Sequence, residues 1–458
     1  MRTFTPPSSR HLICLFVAGS LTIGIGATPE SFGFDASGAA PDRHSQPSPP
    51  PTDDQLEEMF IAGPSALASL GLKTIWQANV AIPERTTAIA LFATDGDSVF
   101  VMDSGFHFSR VLTRDGTTLW TTALGRSTDR CIGVNRVRYE LDLRVEQPKG
   151  EDQLVSEHRF VRELLDEVLV LTDTKIIGVD VATGTIAHGH TVRRVPRTSG
   201  VTLGKHLIFG AKGGQVVWHQ FPLGFFSFAG ELGGTIDQSP ILVATEPMTI
   251  VAASSNGTVA CLRAGTSRQV WRTQLGGGID HRIAVGADGI YVACQDHSIT
   301  ALELTTGNLR WRHMTNKPLV SDVFCDGSSV YLQVSGDGLV SLVANPKADG
   351  SGFARDGVVR WKCATASGNP ICRVGSRILL WDSPAKTLTA VESTNGVVVA
   401  KVAMPEVAQM VITGTVDPEV YFIRADGALQ RCASTTPAVT SANASTQADS
   451  RSADSNQP

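Results

Sequence analysis

Two histidines one residue apart, His188 and His190, have the residue type and spacing that could begin a metal site. On a strand, residues two apart point to the same face, so both rings would lie side by side. A closed zinc site needs three or four ligands, and no third His, Cys or carboxylate stands close by in the sequence. No metal site is therefore expected. The tips Asn256-Gly257 and Asp337-Gly338 invite a calcium reading, but they lack the dense alternation of oxygen ligands that calcium loops need. Tight-turn chemistry accounts for both. Arg193, Arg194 and Arg197 follow the histidines as a small basic cluster, which reads as a solvated loop.

Two further stretches have chemistry suited to binding and not to catalysis. FPLGFFSFAG crowds Phe221, Phe225, Phe226 and Phe228 together, and exposed aromatics at that density make an adhesive patch. Strand alternation puts Phe226 on the face of Phe228, which leaves Phe225 as the expected exposed ring. The second stretch, RVRYELDLRVE from Arg136 to Glu146, alternates without a break. Val137, Tyr139, Leu141, Leu143 and Val145 fall on one face, and charged residues fall on the other. With a turn at Pro148 to Gly150 and a second alternating run from Leu154, residues 126–153 read as an inserted β-hairpin. Such a hairpin either exchanges strands with a partner or folds down as a lid. Tyr139, Leu141, Leu143 and Phe225 are the candidate interaction residues.

These residues are positioned by a repeated unit. ITALELTTGNLRW, Ile299 to Trp311, alternates apolar and polar residues, turns at Thr306-Gly307 and reaches a tryptophan four residues later. Aligned on turn glycine and following residue, the unit recurs at Gly116 with Trp120, Gly184 with His188, Gly224 with Phe228, Gly357 with Trp361, and Gly396 with Ala400. Trp271 follows Gly265 by six residues, which implies a longer turn there. With Trp76 added, eight positions (76, 120, 188, 228, 271, 311, 361 and 400) recur at about forty to fifty residues, the period of propeller blades. Trp76, Trp120, Phe228, Trp271, Trp311 and Trp361 are assigned as structural wedges between blades, each able to bury roughly 150–250 Å².

The array begins with one strand around Trp76 and ends, from Val411 to Cys432, with three. The two fragments complete each other. The expected fold is all-β: an eight-bladed β-propeller of four-stranded antiparallel blades over residues 72–433, closed by an N-terminal strand joining the last blade. A seven-bladed ring is the alternative, because residues 196–233 are the least regular.

Flanking segments read differently. Arg2 and Arg10 precede an apolar run from Leu12 to Ile25 with small residues after it, so residues 1–27 are expected to be a signal peptide or, if uncleaved, an N-terminal anchor. Residues 28–71 are assigned as a Pro/Ser-rich linker and 434–458 as a disordered tail. The net charge of −5 gives no cationic field for nucleic acid. Beyond the signal, seven cysteines remain, an odd number scattered over strand positions. Most read as buried thiols, with Cys363 and Cys372 near enough to pair across a turn.

The phrases VDVATGTIAH, LELTTGNLRW and VLTRDGTTLW resemble the repeat of the PQQ-like, quinoprotein-type β-propeller family. That family includes quinoprotein dehydrogenases, outer-membrane assembly scaffolds and extracytoplasmic sensors, so the resemblance implies the architecture before any activity. Its enzymes carry adjacent cysteines over the cofactor, and many add a haem domain; here no two cysteines are adjacent and no Cys-x-x-Cys-His occurs. The resemblance thus implies the non-catalytic branch, similar to the scaffold lipoprotein of outer-membrane assembly. The expected function is a non-enzymatic, periplasmic or secreted binding scaffold without cofactor, whose partner is another protein of the cell envelope. Membrane contact would come only through an uncleaved N-terminus. The alternatives are a PQQ- and calcium-dependent dehydrogenase and a sensor of carbohydrate or another small ligand.

Overall fold

The computed structural model describes residues 57, 59–82, 88–125, 129–148, 156–287, 289–346 and 356–435, and for 142–148 and 156–162 the backbone alone. The expected signal peptide and most of the expected tail lie outside the described residues. Period-two alternation and Gly-bearing turns produce eight four-stranded antiparallel sheets, so the ring has eight blades and not seven. Blades 1 to 7 are continuous in sequence, at 89–123, 131–191, 201–231, 241–274, 284–314, 324–363 and 369–403. Blade 8 takes Val407–Thr413, Glu419–Arg424 and Ala428–Ser434 from the end of the chain and Leu72–Asn79 from its start. The closing pair runs from Leu72 opposite Ser434 to Asn79 opposite Ala428. The first strands of the blades neighbour one another around the centre. They enclose a cavity of about 560 Å³ whose apolar wall includes Ile283, Phe324, Ile371, Met410 and Ile412, with Arg282, Asp322 and Asn369 also lining it.

Each tryptophan of the repeat docks on the next blade. Trp76, Trp120, Trp271, Trp311 and Trp361 lie on Gly116, Gly184, Gly307, Gly357 and Gly396, the turn glycines one blade onward. Their indole N–H groups donate to the carbonyls of Thr113, Val181, Leu304, Ala344 and Ser393 at 2.7–3.0 Å. A buried indole nitrogen is thereby satisfied at the same contact that buries its ring.

Blade 3 makes the contact differently. Phe228 is only half buried there, and the ring that donates to the next blade is Trp218 of the third strand, fully buried and 2.6 Å from the carbonyl of Ala264. The turn it reaches also corrects the sequence alignment. Ser267, at φ +56°, holds the place that Gly307 holds one blade onward, and its N–H bonds Arg263 O as Gly307 bonds Glu303 O. Trp271 therefore follows its turn residue by four, as in the other blades, and no longer turn is present. Where the docked ring comes from the third strand, a turn residue with a Cβ is accommodated.

At blade 7 the aromatic position is Ala400. The gap is filled from the segment assigned as linker, which corrects the boundary at residue 71. Helix α1, Pro64–Leu70, is stopped by Gly71 at φ +84° and buries Leu67 and Leu70 against Ala400, Val402, Met404 and Val407. Gln430 of blade 8 pins the chain just before it, accepting from Ala62 N and donating to Ala62 O at 2.8 and 2.9 Å. The seven cysteines among the described residues are free thiols, Cys363 and Cys372 included.

Candidate interaction surface

The first two strands of blade 2, Cys131–Pro148 and Ser156–Thr172, are far longer than the six residues usual in this ring. They pair from Cys131 opposite Thr172 to Pro148 opposite Ser156. The third strand of the blade covers the second only from Glu167 to Leu171. From Asp166 outward the hairpin is a two-stranded ribbon, about 40 Å long at 3.4 Å per residue.

Ion pairs fix its root. Arg136 contacts Asp166 through Nε and Nη2 at 2.8 Å and reaches Asp97 of blade 1; Arg138 adds a bond to Asp166 at 2.9 Å. Partial burial would raise the Asp97 carboxyl, but hydrogen bonds from Arg136 and Ser98 and the charges of Arg136 and Arg110 override it and lower the pKa to about 2.

Beyond the root, the alternation in the sequence becomes two faces. Val137 and Tyr139 are buried and Leu141 is half buried, whereas Arg138 and Glu140 face solvent. The Tyr139 ring meets Phe221 of blade 3 edge-on, 5.2 Å between centroids. Tyr139 and Leu141 are thus spent on seating the hairpin against blade 3 and are not the free contact residues expected from the sequence. The side chain of Leu143 lies outside the described residues. Leu164, on the returning strand, is 70% exposed instead.

Phe225 is exposed as expected, and so is Phe226, contrary to the alternation argument. The reason is a register shift: Trp218 pairs with Phe228 but His219 pairs with Phe226, so one residue is skipped. Phe226 turns outward, under the guanidinium of Arg194 at 4.8 Å. With Leu223, 62% exposed, these rings form an apolar edge on blade 3 beside the hairpin stalk.

Between the two blades runs a line of polar rings that the sequence left unconnected. Glu167, buried, bonds His188 Nε2 at 2.9 Å; His188 stacks on His190 with centroids 4.9 Å apart. Glu167 also bonds the Tyr139 hydroxyl, and burial together with that carboxylate pushes the phenol pKa up. His190 packs under Gly224. His219, buried, is held down to about 4, first by burial and then by His190 and His206. No metal-binding group of three or more His, Cys, Asp or Glu occurs among the described residues. Glu167 and His219 carried no motif, and only strand register brings them beside His188 and His190.

Comparison with known proteins follows the fold. A family model described as outer membrane protein assembly factor BamB matches residues 204–376 and 255–448. BamB from Moraxella catarrhalis aligns with a TM-score of 0.57 at 14% identity, over 79% of this chain and 99% of that one. Sqt1 of Saccharomyces cerevisiae gives 0.54 at 9% identity, over 78% and 98%. The computationally designed Ika8 protein gives 0.52 at 13%, over 78% and 99%. At these identities the structural likeness is one of fold. No curated protein sequence matches.

Proposed function

Because the chain belongs to the family of the outer membrane protein assembly factor BamB, we propose that it is a non-enzymatic, extracytoplasmic scaffold that docks a protein of the cell envelope. The observation that carries this reading is the blade 2 hairpin, a ribbon whose outer edges pair with no other strand among the described residues and whose root is anchored by Arg136 and Tyr139. Unpaired strand edges accept a partner strand, and the apolar edge of Leu223, Phe225 and Phe226 adds side-chain contacts beside it. The apolar run at residues 12–25 supports export.

The scaffold works without PQQ or calcium in this reading. The central cavity is lined mainly by apolar side chains and offers one carboxylate and one side-chain amide, Asp322 and Asn369, fewer oxygen ligands than the roughly six to eight that calcium takes. One-to-one binding of added PQQ and calcium, together with dye-linked alcohol oxidation, would replace the scaffold by an enzyme.

Docking is tested with a photo-crosslinking residue at Leu164, at Phe225, and at Val399 on the outer strand of blade 7 as control. Adducts with a component of outer-membrane protein assembly are expected from the first two positions and not from the third. Equal labelling from all three, or none from the hairpin side, sinks the proposal.

A further inference from the structure

Behind Phe225 and Phe226 lies a small cavity of about 200 Å³ between blades 2 and 3. Its floor is His219 with Val217 and Gly224, and its mouth holds Arg193, Arg194 and the two phenylalanines. The His219 side chain is almost wholly buried, and its Nε2 has no hydrogen-bond partner. A buried polar nitrogen left unpaired is costly, so a ligand atom that reaches it is favoured. The cavity is smaller than the roughly 300–1,000 Å³ of drug-sized sites, which limits the occupant to one ring and a small polar group.

We propose that this cavity binds an aromatic carboxylate, its ring seated against Phe225, Phe226 and Val217 and its charge set between Arg193 and the His219 ring. The charge assignment follows from the mouth. Arg193 is exposed and makes no bond with any of the described residues, while Arg194 is stacked on Phe226 and bonded to Gln215. Both present positive charge where no carboxylate lines the cavity. A neutral imidazole with its proton on Nε2 donates to a carboxylate oxygen, and a guanidinium binds the same group through its planar pair of donors. The aromatic preference follows from Phe225 and Phe226, which offer ring faces and edges instead of aliphatic surface. The site shares Phe225 and Phe226 with the proposed docking edge, but a free acid can occupy it without a docked protein.

The shared chemistry, a ring beside a carboxylate, comes either from a small acid or from neighbouring Phe and Asp side chains of a peptide. Full-length protein is titrated calorimetrically with phenylacetate, with phenylacetamide, and with a blocked tetrapeptide containing adjacent Phe and Asp. Saturable one-to-one binding of phenylacetate or of the peptide is expected, and whichever binds names the source. Phenylacetamide should bind at least 10-fold more weakly than phenylacetate if the free acid is the ligand. Arg193→Gln and Phe225→Ala, both at exposed positions, should each weaken the bound probe at least 5-fold with an unchanged thermal melt. Failure of both probes to bind, or binding indifferent to both substitutions, overturns the proposal. Crosslinking from Leu164 is read separately, so loss of one result leaves the other standing.

Discussion

Trp311 lies so close to Gly357 of the next blade that a Cβ on that glycine would stand 2.8 Å from Cε3 of the indole. The space is occupied by the ring that holds the blades together. Gly357→Ala should therefore destabilise the ring by about 1–3 kcal/mol through overpacking, and Trp311→Ala by about 3–5 kcal/mol through the cavity it leaves. In the double variant the added methyl no longer meets an indole. Its cost should fall well below the sum of the two single effects, which a double-mutant cycle of urea unfolding measures directly. Full additivity would show that the two residues do not share this contact.

Helix α1 stands in for a missing aromatic. Leu67→Ala should cost about 2–5 kcal/mol, comparable with loss of a core leucine elsewhere. Amide exchange should rise first in Leu72–Asn79 and Val398–Ala403, the strands nearest the helix. Unchanged exchange there would show that the helix is not part of the ring's core.

His219 makes stability depend on pH. Its folded pKa is lowered from 6.5 to about 4, so between those values the unfolded chain binds more protons than the folded one. The contribution is fully present above pH 6.5 and is lost as pH falls toward 4. At about 1.4 kcal/mol per pKa unit it amounts to about 3 kcal/mol. The charged and titratable groups around it are His190 and His206, Arg193 and Arg194 at the cavity, and Glu167 through His188. Urea midpoints measured at pH 7.5 and 4.5 should differ less in His219→Gln than in the unaltered protein. Equal differences would remove His219 as a source of acid sensitivity.

The root of the hairpin gives the same sign in a more acidic window. Asp97 is depressed to about 2, so its contribution is present above the ordinary value of 3.8 and disappears as pH falls toward 2. Arg136→Gln removes the leading hydrogen bond and charge that hold it down. Carboxyl titration by NMR should then show Asp97 moving up toward 3.8, and limited proteolysis should cut the hairpin faster. An unmoved titration would place the cause with Ser98 and Arg110 instead.

The period of the repeat, its turn glycines and the mismatch of the two ends favoured eight blades over seven and predicted their closure. The reason is that successive four-stranded sheets apolar on both faces must stack face to face, and a ring closed by strand exchange between the chain ends leaves neither an open face nor an open end. The alternation from Arg136 to Leu141 likewise predicted which side chains of the hairpin would share a face. Sequence order could not say against what those faces pack. Tyr139 meets Phe221, which is far away in the chain, and this turned an expected contact residue into a buried strut.

What the tertiary structure alone decided depends on register and on substitution across space. One skipped residue between Phe226 and Phe228 reversed the exposure of Phe226, because side chains alternate by single residues. Trp218 and helix α1 fill gaps that Phe228 and Ala400 leave, and Ser267 tolerates a Cβ where Gly307 does not. The wedges that look alike in sequence and those that do not meet the same physical requirement, a filled gap between neighbouring blades, and only the tertiary structure decides which residue meets it.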